Sequence, residues 1–275
     1  MATQSIDIPK HIHNHPLANG TPRLGASGIL TTVILVIAAG WSFRGTEFNP
    51  VSLVQDAPNM WAFLVRTFPP DWGFFLNTER VIVPTIQTIQ LSIASSIVAL
   101  ILAFPLSLLA ARNLSHPAVY QVVRGVLNIF RSIPDIIWAL IFVSAVGLGV
   151  FAGTLALIAG SIGSMSKVFA EQIESIDPRP VEAMDAVGAN KVQTIAFGVI
   201  PQALPNMASY ALIFWEHNIR ASFIVGAVGG GGLGFEIITE LNLFKYHQFL
   251  THILIIIALV FVADRISAWV RAKLT

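Results

Sequence analysis

Apolar residues in this chain gather into long unbroken stretches rather than into alternating or amphipathic patterns. Leu24 to Phe43 carries no charge and is rich in Ile, Val and Leu, and its length matches the roughly 20 residues a helix needs to cross hydrocarbon. Each large apolar residue favours insertion by roughly 0.3–0.6 kcal/mol, so this segment reads as span one. It is too long for a signal peptide, and no small-x-small cleavage site follows it. Val81 to Ala111 is a second charge-free stretch, read as one tilted span with Pro84 near its start and Pro105 near its end. Charge is absent again from Ile136 to Ser166, where Gly147-Leu148-Gly149 and Gly153 interrupt the run. That stretch divides into span three, about Ile133 to Val150, and span four, about Thr154 to Ile176. Span five covers about Leu204 to Val225 and span six about Gln248 to Val270. The pattern predicts an all-α integral membrane protein with six transmembrane helices.

Composition agrees. Of 275 residues, 55% are hydrophobic and 11% are charged, against about 25% charged in soluble domains. A soluble enzyme is excluded on that ground. Cysteine is absent, which removes disulfides, thiolate metal sites and a cysteine nucleophile. The formal net charge of +1 gives no basic surface for nucleic acid. With six spans both termini share one side. Of the sixteen Lys and Arg, eleven then fall on that side, while Arg44, Arg66, Arg80 and Lys245 fall on the other and Arg220 lies within span five. The bias predicts both termini inside.

The connections carry their own signals. Residues 1–23 form a polar tail that includes His11, His13 and His15; their alternate spacing could hold a metal, but a spacer role is favoured. The external loop 44–80, with Phe68-Pro69-Pro70-Asp71-Trp72, is expected to contain a short helix lying at the interface. Pro117 to Phe130 has apolar residues at helical spacing, from Val119 through Val122, Val123, Val126 and Leu127 to Phe130, and predicts an interfacial amphipathic helix on the inner side.

Between spans four and five, residues 177–190 read as a short self-contained helix. Asp177 suits the N-cap, Pro178 the first helical position and Gly188 the left-handed position past the end. Val181, Met184 and Val187 are expected on one face, with Glu182 and Asp185 on others. Two or three capped turns are marginal alone, so the helix needs a docking partner, and a soluble protein is the natural one.

Glu182-Ala183-Met184, then Gly188, then Pro201 resembles the cytoplasmic signature loop of permease subunits of bacterial ATP-binding-cassette importers. Met184 stands where that pattern has a second Ala, Gly198 where it has Ile, and Ile200 where it has Leu. Ile133-Pro134-Asp135-Ile136-Ile137-Trp138, Gly188-Ala189-Asn190-Lys191, Glu216-His217-Asn218-Ile219-Arg220 and Phe68-Pro69-Pro70-Asp71 look like the phosphonate/phosphite-type members. The run from Gly226 to Gly234 is also similar to methionine-type permeases. The resemblance implies the type I importer fold, with residues 81–275 as a five-helix permease core. It further implies a homodimer in the cell inner membrane, two cytoplasmic ATPase subunits that bind ATP and Mg, and an extracytoplasmic phosphonate-binding protein. Under it, Val181, Glu182, Ala183, Met184, Asp185 and Gly188 belong to a coupling helix at about residues 178–188.

Nothing points to catalysis in this chain. No G-x-x-x-x-G-K-[ST] occurs, and no His-Glu-x-x-His. Gly229, Gly230, Gly231, Gly232 and Gly234 satisfy G-x-G-x-x-G in form, but after a membrane helix rather than a strand. They are expected to form a flexible outer connection after span five, as a gate or a tight turn. Glu216, His217, Asn218 and Arg220 are the informative intramembrane residues. A charge near the bilayer centre costs roughly 2.5–3.5 kcal/mol on insertion scales. Glu216 and Arg220, four apart, can pair as a strut, or this polar face lines a passage where Arg220, with Asn218 and His217, offers donors to an oxyanion. Lys167 and Glu171 pair near the inner end of span four, Asp135 caps span three, and Ala156, Gly160 and Ser164 form a packing stripe.

The function expected is the membrane subunit of an ATP-driven importer of a phosphonate or phosphite. The alternatives are a permease for methionine or another small organic solute, and a stand-alone secondary transporter or channel.

Overall fold

The computed structural model describes residues 26–46 and 49–274. The histidine-bearing tail lies outside them. The chain divides into two units, residues 1–61 and 62–275. In the first, α1 (Ala26–Gly45) is the expected first span. Its apolar side chains, Leu30, Leu35, Val36 and Ile37 among them, are exposed, as a helix bathed in hydrocarbon requires. Helix α2 (Pro50–Thr67) occupies the expected external loop, but at eighteen residues it is no short helix. The helix runs unbroken through Pro58.

The second unit holds α3 (Val83–Ala110), α4 (Pro117–Ser132), α5 (Asp135–Val146), α6 (Val150–Glu174), α7 (Pro178–Ala186), α8 (Ile200–Val225), α9 (Gly232–Asn242) and α10 (Tyr246–Leu274). Three continuous helical segments here, Thr78–Ala110, Val150–Glu174 and Tyr246–Leu274, are each long and apolar enough to cross a membrane. Two bent pairs qualify only together: α4 with α5, at 86°, and Lys191–Gly230 with α9, at 57°.

Span three is therefore corrected. Residues 133–150 are not one helix; α5 has twelve residues, about 18 Å, too short to cross hydrocarbon alone. Ile133 and Pro134 set it at a sharp angle to α4, since the residue before proline is held extended. The break at Gly147-Leu148-Gly149 holds, with φ +92° and +136° at the two glycines. Gly153, however, is no breaker. It lies inside α6, where a Cβ would stand 2.5 Å from the Gly230 carbonyl oxygen.

Helix α6 is the central post, packed against α3, α4, α5 and α8. Its small residues let backbones approach closely: Ala156 is buried, and a Cβ on Gly163 would meet the Leu127 carbonyl oxygen of α4 at 2.7 Å. Gly160 backs onto the Asp135 carboxylate. The packing stripe is thus real, and Gly153 and Gly163 extend it. A main core of Phe169, Met165, Ile173, Val199 and Met207 lies where α3, α6 and α8 converge, toward the α7 end.

Each end of the unit is tied by charge. At the α7 end, the Arg124 guanidinium bridges Glu174 at 3.1 Å and donates to the Ala110 carbonyl at 3.0 Å, while the Arg112 amide donates to the same carboxylate. Helix α4 is the expected amphipathic helix, with Leu127 buried and Val122 and Val126 exposed. At the opposite end, Arg80 bridges the fully buried Glu240 at 2.8 Å. The Asp71 amide there bonds the Thr251 hydroxyl at 3.1 Å.

Candidate functional site: coupling loop and intramembrane charges

The loop after α6 builds its helix as its residues dictate. The Asp177 carboxylate accepts from the Arg179 amide at 3.0 Å, Pro178 opens the first turn, and Gly188 takes φ +77°. At the other end the Gly188 amide donates to the Asp185 carbonyl and the Ala189 amide to that of Met184, both at 3.0 Å. This pair of hydrogen bonds closes the last turn in the arrangement that favours glycine. The Arg179 side chain folds back on Asp177 and holds its carboxyl below the ordinary carboxylate range.

The faces of α7 sort sharply. Val181 and Met184 are half-buried against Gly198, whose Cβ position lies 3.5 Å from each. Glu182, Ala183, Asp185 and Ala186 are exposed. Val187 does not join the inner face: it is the C-cap and 79% exposed, because the helix ends before a further turn could bring it round. Close by, Val192 and Phe197 are 76% and 71% exposed. The result is a short, anchored helix presenting a small acidic outer surface beside uncovered apolar side chains.

The intramembrane polar residues do not share one face. Successive residues on a helix point about 100° apart, and α8 sends them to three places. Asn218 is buried, donating to the Ser96 hydroxyl and accepting from Ser161, both at 2.9 Å. It knits α3, α6 and α8 together, and its donors are not turned toward Arg220. His217 faces α5, its Nε2 3.4 Å from the Asp135 carboxylate. Asp135 is therefore not the expected cap: the N-cap of α5 is Pro134, with no side-chain cap bond, and Asp135 lies inside the first turn with its carboxylate turned to His217. Glu216 and Arg220 pair as spaced, and Arg220 also bonds Asp264 of α10 at 3.0 Å, with Arg271 lying 3.7 Å from Glu216. The quartet carries two charges of each sign.

Sequence reading missed Asp264 and Arg271 as members; the helix runs past the expected end of span six to Leu274 and so carries both, seven positions apart on one face. It missed Glu240 too, which no local pattern distinguishes from a surface acid. Lys167 and Glu171 pair loosely at 3.9 Å, as spaced. Among the described residues no group of His, Asp or Glu is arranged to hold a metal.

The glycine run corrects a further expectation. It is not a flexible connection at the outer end. Gly226, Gly229, Gly230, Gly232 and Gly234 are all buried. They form a kink between α8 and α9, so span five does not stop at Val225 as expected but bends there by 57° and continues as α9. The Gly149 amide donates to the Gly229 carbonyl at 2.9 Å. The Thr88 hydroxyl accepts from the Leu233 amide at 2.9 Å while donating to the Pro84 carbonyl at 2.8 Å. A Cβ on Gly231 would stand 2.9 Å from Val150. Here glycine serves close contact between backbones.

These features, a capped loop helix between two late spans and a glycine-kinked span, coincide with a family model. Residues 103–275 match the binding-protein-dependent transport system inner membrane component. The chain belongs to that family. The permease is 37% identical over 250 residues to the phosphite transport system permease protein PtxC of Stutzerimonas stutzeri, covering 90% of this chain and 88% of that one. It is 33% identical over 265 residues to the phosphate-import permease protein PhnE of Mycolicibacterium smegmatis, covering 95% of this chain and 48% of the other. Among solved structures, the permease aligns with a chain of the MetNI methionine ABC transporter at TM-score 0.64 and 23% identity, over 73% of this chain and 99% of that chain. That likeness gives the fold, the type I importer permease. The permease is an inner-membrane component and not an enzyme.

Proposed function

We propose that the permease carries a phosphonate, phosphite or closely similar small phosphorus oxyanion into the cell, driven by ATP hydrolysed on a separate subunit pair. The α7 loop carries this reading. A nine-residue helix, capped at both ends, anchored by Val181 and Met184 and by the Thr194 hydroxyl's 3.3 Å bond to Asp185, with Glu182 and Ala183 left bare, is built to be gripped from outside the membrane. Its exposed Glu182, Ala183, Asp185 and Ala186, with Val187 and Phe197 nearby, form the surface on which the ATPase closes. ATP and Mg belong to that partner. The α7 end is then cytoplasmic, and the end holding Arg80, Glu240 and Lys245 faces the binding protein. A cytoplasmic carboxy terminus follows, and the lysine and arginine bias of the sequence supports a cytoplasmic amino terminus. The relatives named for phosphite and phosphate, at 33–37% identity over most of the chain, support the cargo class; a methionine-type cargo has the support of the fold and of more distant relatives, 28% identical over 58% of this chain.

A second copy of the chain completes the translocation unit in this reading. The side chains of Arg220 and Asp264 are 50% and 45% exposed, part-way along helices that cross hydrocarbon, while Arg271 lies in the last turn of α10. Lipid would not tolerate the first two, so another permease subunit or a water-lined passage covers them. Arg220 holds the Glu216 and Asp264 carboxylates at once and leaves no strongly positive site. Weak, transient donors of this kind suit a conduit that must release its cargo. The kinked glycine segment is the proposed gate, a bend at which α8 and α9 change angle.

The test is reconstitution with the ATPase and the solute-binding protein, comparing uptake of phosphite, a small alkylphosphonate, phosphate and methionine. Uptake confined to the phosphorus compounds, requiring both partners, is expected. Uptake without the ATPase would support a stand-alone transporter and overturn the reading. In the same system, Arg220→Gln is expected to lower uptake about tenfold while ATPase stimulation by loaded binding protein persists. Unchanged uptake would remove the quartet from the passage.

A further inference from the structure

Helices α7 and α9 end in the same hydrogen-bonded turn, with different residues at its critical position. In α9 the Phe244 amide donates to the Leu241 carbonyl at 3.1 Å and the Lys245 amide to the Glu240 carbonyl at 2.9 Å. This repeats the pattern at Gly188 and Ala189. The residue after the cap must adopt left-handed backbone. In α7 that residue is Gly188; in α9 it is Phe244, with φ +58°, the one non-glycine residue of positive φ among the described residues. A bulky side chain there costs backbone energy that glycine avoids.

Internal packing does not explain the choice. The Phe244 side chain is 75% exposed, and Leu243 beside it is 52% exposed. Its ring meets Tyr246 edge-on at 6.2 Å between centroids, an ordinary aromatic contact, but one that leaves three quarters of the residue uncovered. The turn is firmly held nonetheless, since Glu240 is fully buried and bridged to Arg80 at 2.8 Å. An aromatic ring is thus presented rigidly and outward, where glycine would make the more stable turn. Strained backbone of this kind gathers at binding surfaces.

We infer that Phe244 is a docking knob for the extracytoplasmic solute-binding protein, entering a shallow apolar recess on that partner. The inference rests on the importer reading, which puts this turn on the outer face. Position supports it: the turn stands at the end opposite α7, beside Arg80 and the first turn of α10. Charge specifies the partner further. A pocket of about 590 Å³ adjoins the turn, lined by Phe244, Tyr246, Arg66, Lys245, His247 and Asp71 among others. Arg80 and Lys245 share the single buried carboxylate of Glu240, at 2.8 and 4.0 Å, and Arg66 stands beside them with Asp71, so one cation is left over and the recess on the partner has an acidic rim. Exposed aromatic and arginine anchors carry most of the energy in interfaces of this kind.

The experiment uses the complete permease–ATPase complex in lipid nanodiscs, with wild type and Phe244→Gly compared in three measurements. These are melting temperature, basal ATPase rate, and affinity for the purified solute-binding protein. The melting temperature is expected to hold or rise, because glycine relieves the turn, and the basal rate to stay unchanged. Affinity for the binding protein is expected to fall about tenfold or more, with stimulated ATPase falling in parallel at a fixed binding-protein concentration. Unchanged affinity would overturn the inference, including the case where the variant shows only a lower melting temperature, which would mark the ring as a lipid anchor. Failure of wild type to bind or respond to the binding protein would overturn the importer reading as well, and so separates the two.

Discussion

Gly234→Val is expected to leave almost no folded permease in the membrane. A Cβ at Gly234 would lie 2.2 Å from the Phe223 carbonyl oxygen and 3.0 Å from the Gly226 Cα. Gly226 is hemmed in reciprocally, its Cβ position 2.5 Å from the Gly231 carbonyl oxygen and 2.9 Å from the Gly234 Cα. The obstructing atoms are all backbone, so no rotamer change relieves the clash and the two arms of span five must part. Overpacking usually costs about 1–3 kcal/mol; separating two buried backbones at a kink lies at or above the top of that range. Membrane yield and the melting temperature of the detergent-extracted protein read the effect. Gly125→Ala is the control, on the exposed side of α4, where a Cβ meets nothing within 4 Å. It is expected to be neutral or slightly stabilising, since alanine favours helix over glycine by about 1 kcal/mol. Normal yield of Gly234→Val would show that the kink is not packed as described.

Ala183→Arg and Glu182→Arg, on the bare face of α7, are expected to reduce ATP-driven uptake by about thirtyfold or more, with the melting temperature of the isolated permease unchanged. A hot-spot side chain in an interface is worth roughly 2 kcal/mol or more, which is about thirtyfold in affinity. An unpaired cation placed where the ATPase closes exacts at least that. Co-purification of the ATPase should be lost alongside uptake. Met184→Leu, on the inner face against Gly198, conserves volume and is expected to keep both. Together the variants separate a surface needed by a partner from a helix needed only for folding. Full uptake by both arginine variants would remove α7 from the coupling role and, with it, the main support for ATP-driven import.

The elements that could be read without a structure are those governed by local physics. Span positions follow from the free energy of moving side chains into hydrocarbon, a sum along the sequence that needs no knowledge of neighbours. Spans one, two, four and six accordingly match α1, α3, α6 and α10 within a few residues. The loop helix was equally legible: Asp177, Pro178 and Gly188 each act on their own turn, through a side-chain cap, a fixed φ and a permitted left-handed φ. The Glu216–Arg220 pair needed only helical spacing.

What escaped the sequence depends on segments far apart along the chain. Gly153 and Gly229 to Gly234 look the same in sequence as a loop and as a buried close contact; the apposition of Gly149, Val150 and Thr88 decides for contact. Glu216, His217 and Asn218 are adjacent in sequence, and which neighbours each meets depends on the placement of α3, α5, α6 and α10 around α8. Asp264, Arg271, Glu240 and Asp135 acquired partners for the same reason. The sequence by itself thus determined that this is an α-helical membrane protein with a short capped helix in a loop between two late spans, because insertion energies and caps are local. The tertiary structure alone decided which charges pair, where span five bends and which side chains stand unburied at its two ends, because those are properties of distances between helices and no local rule encodes them.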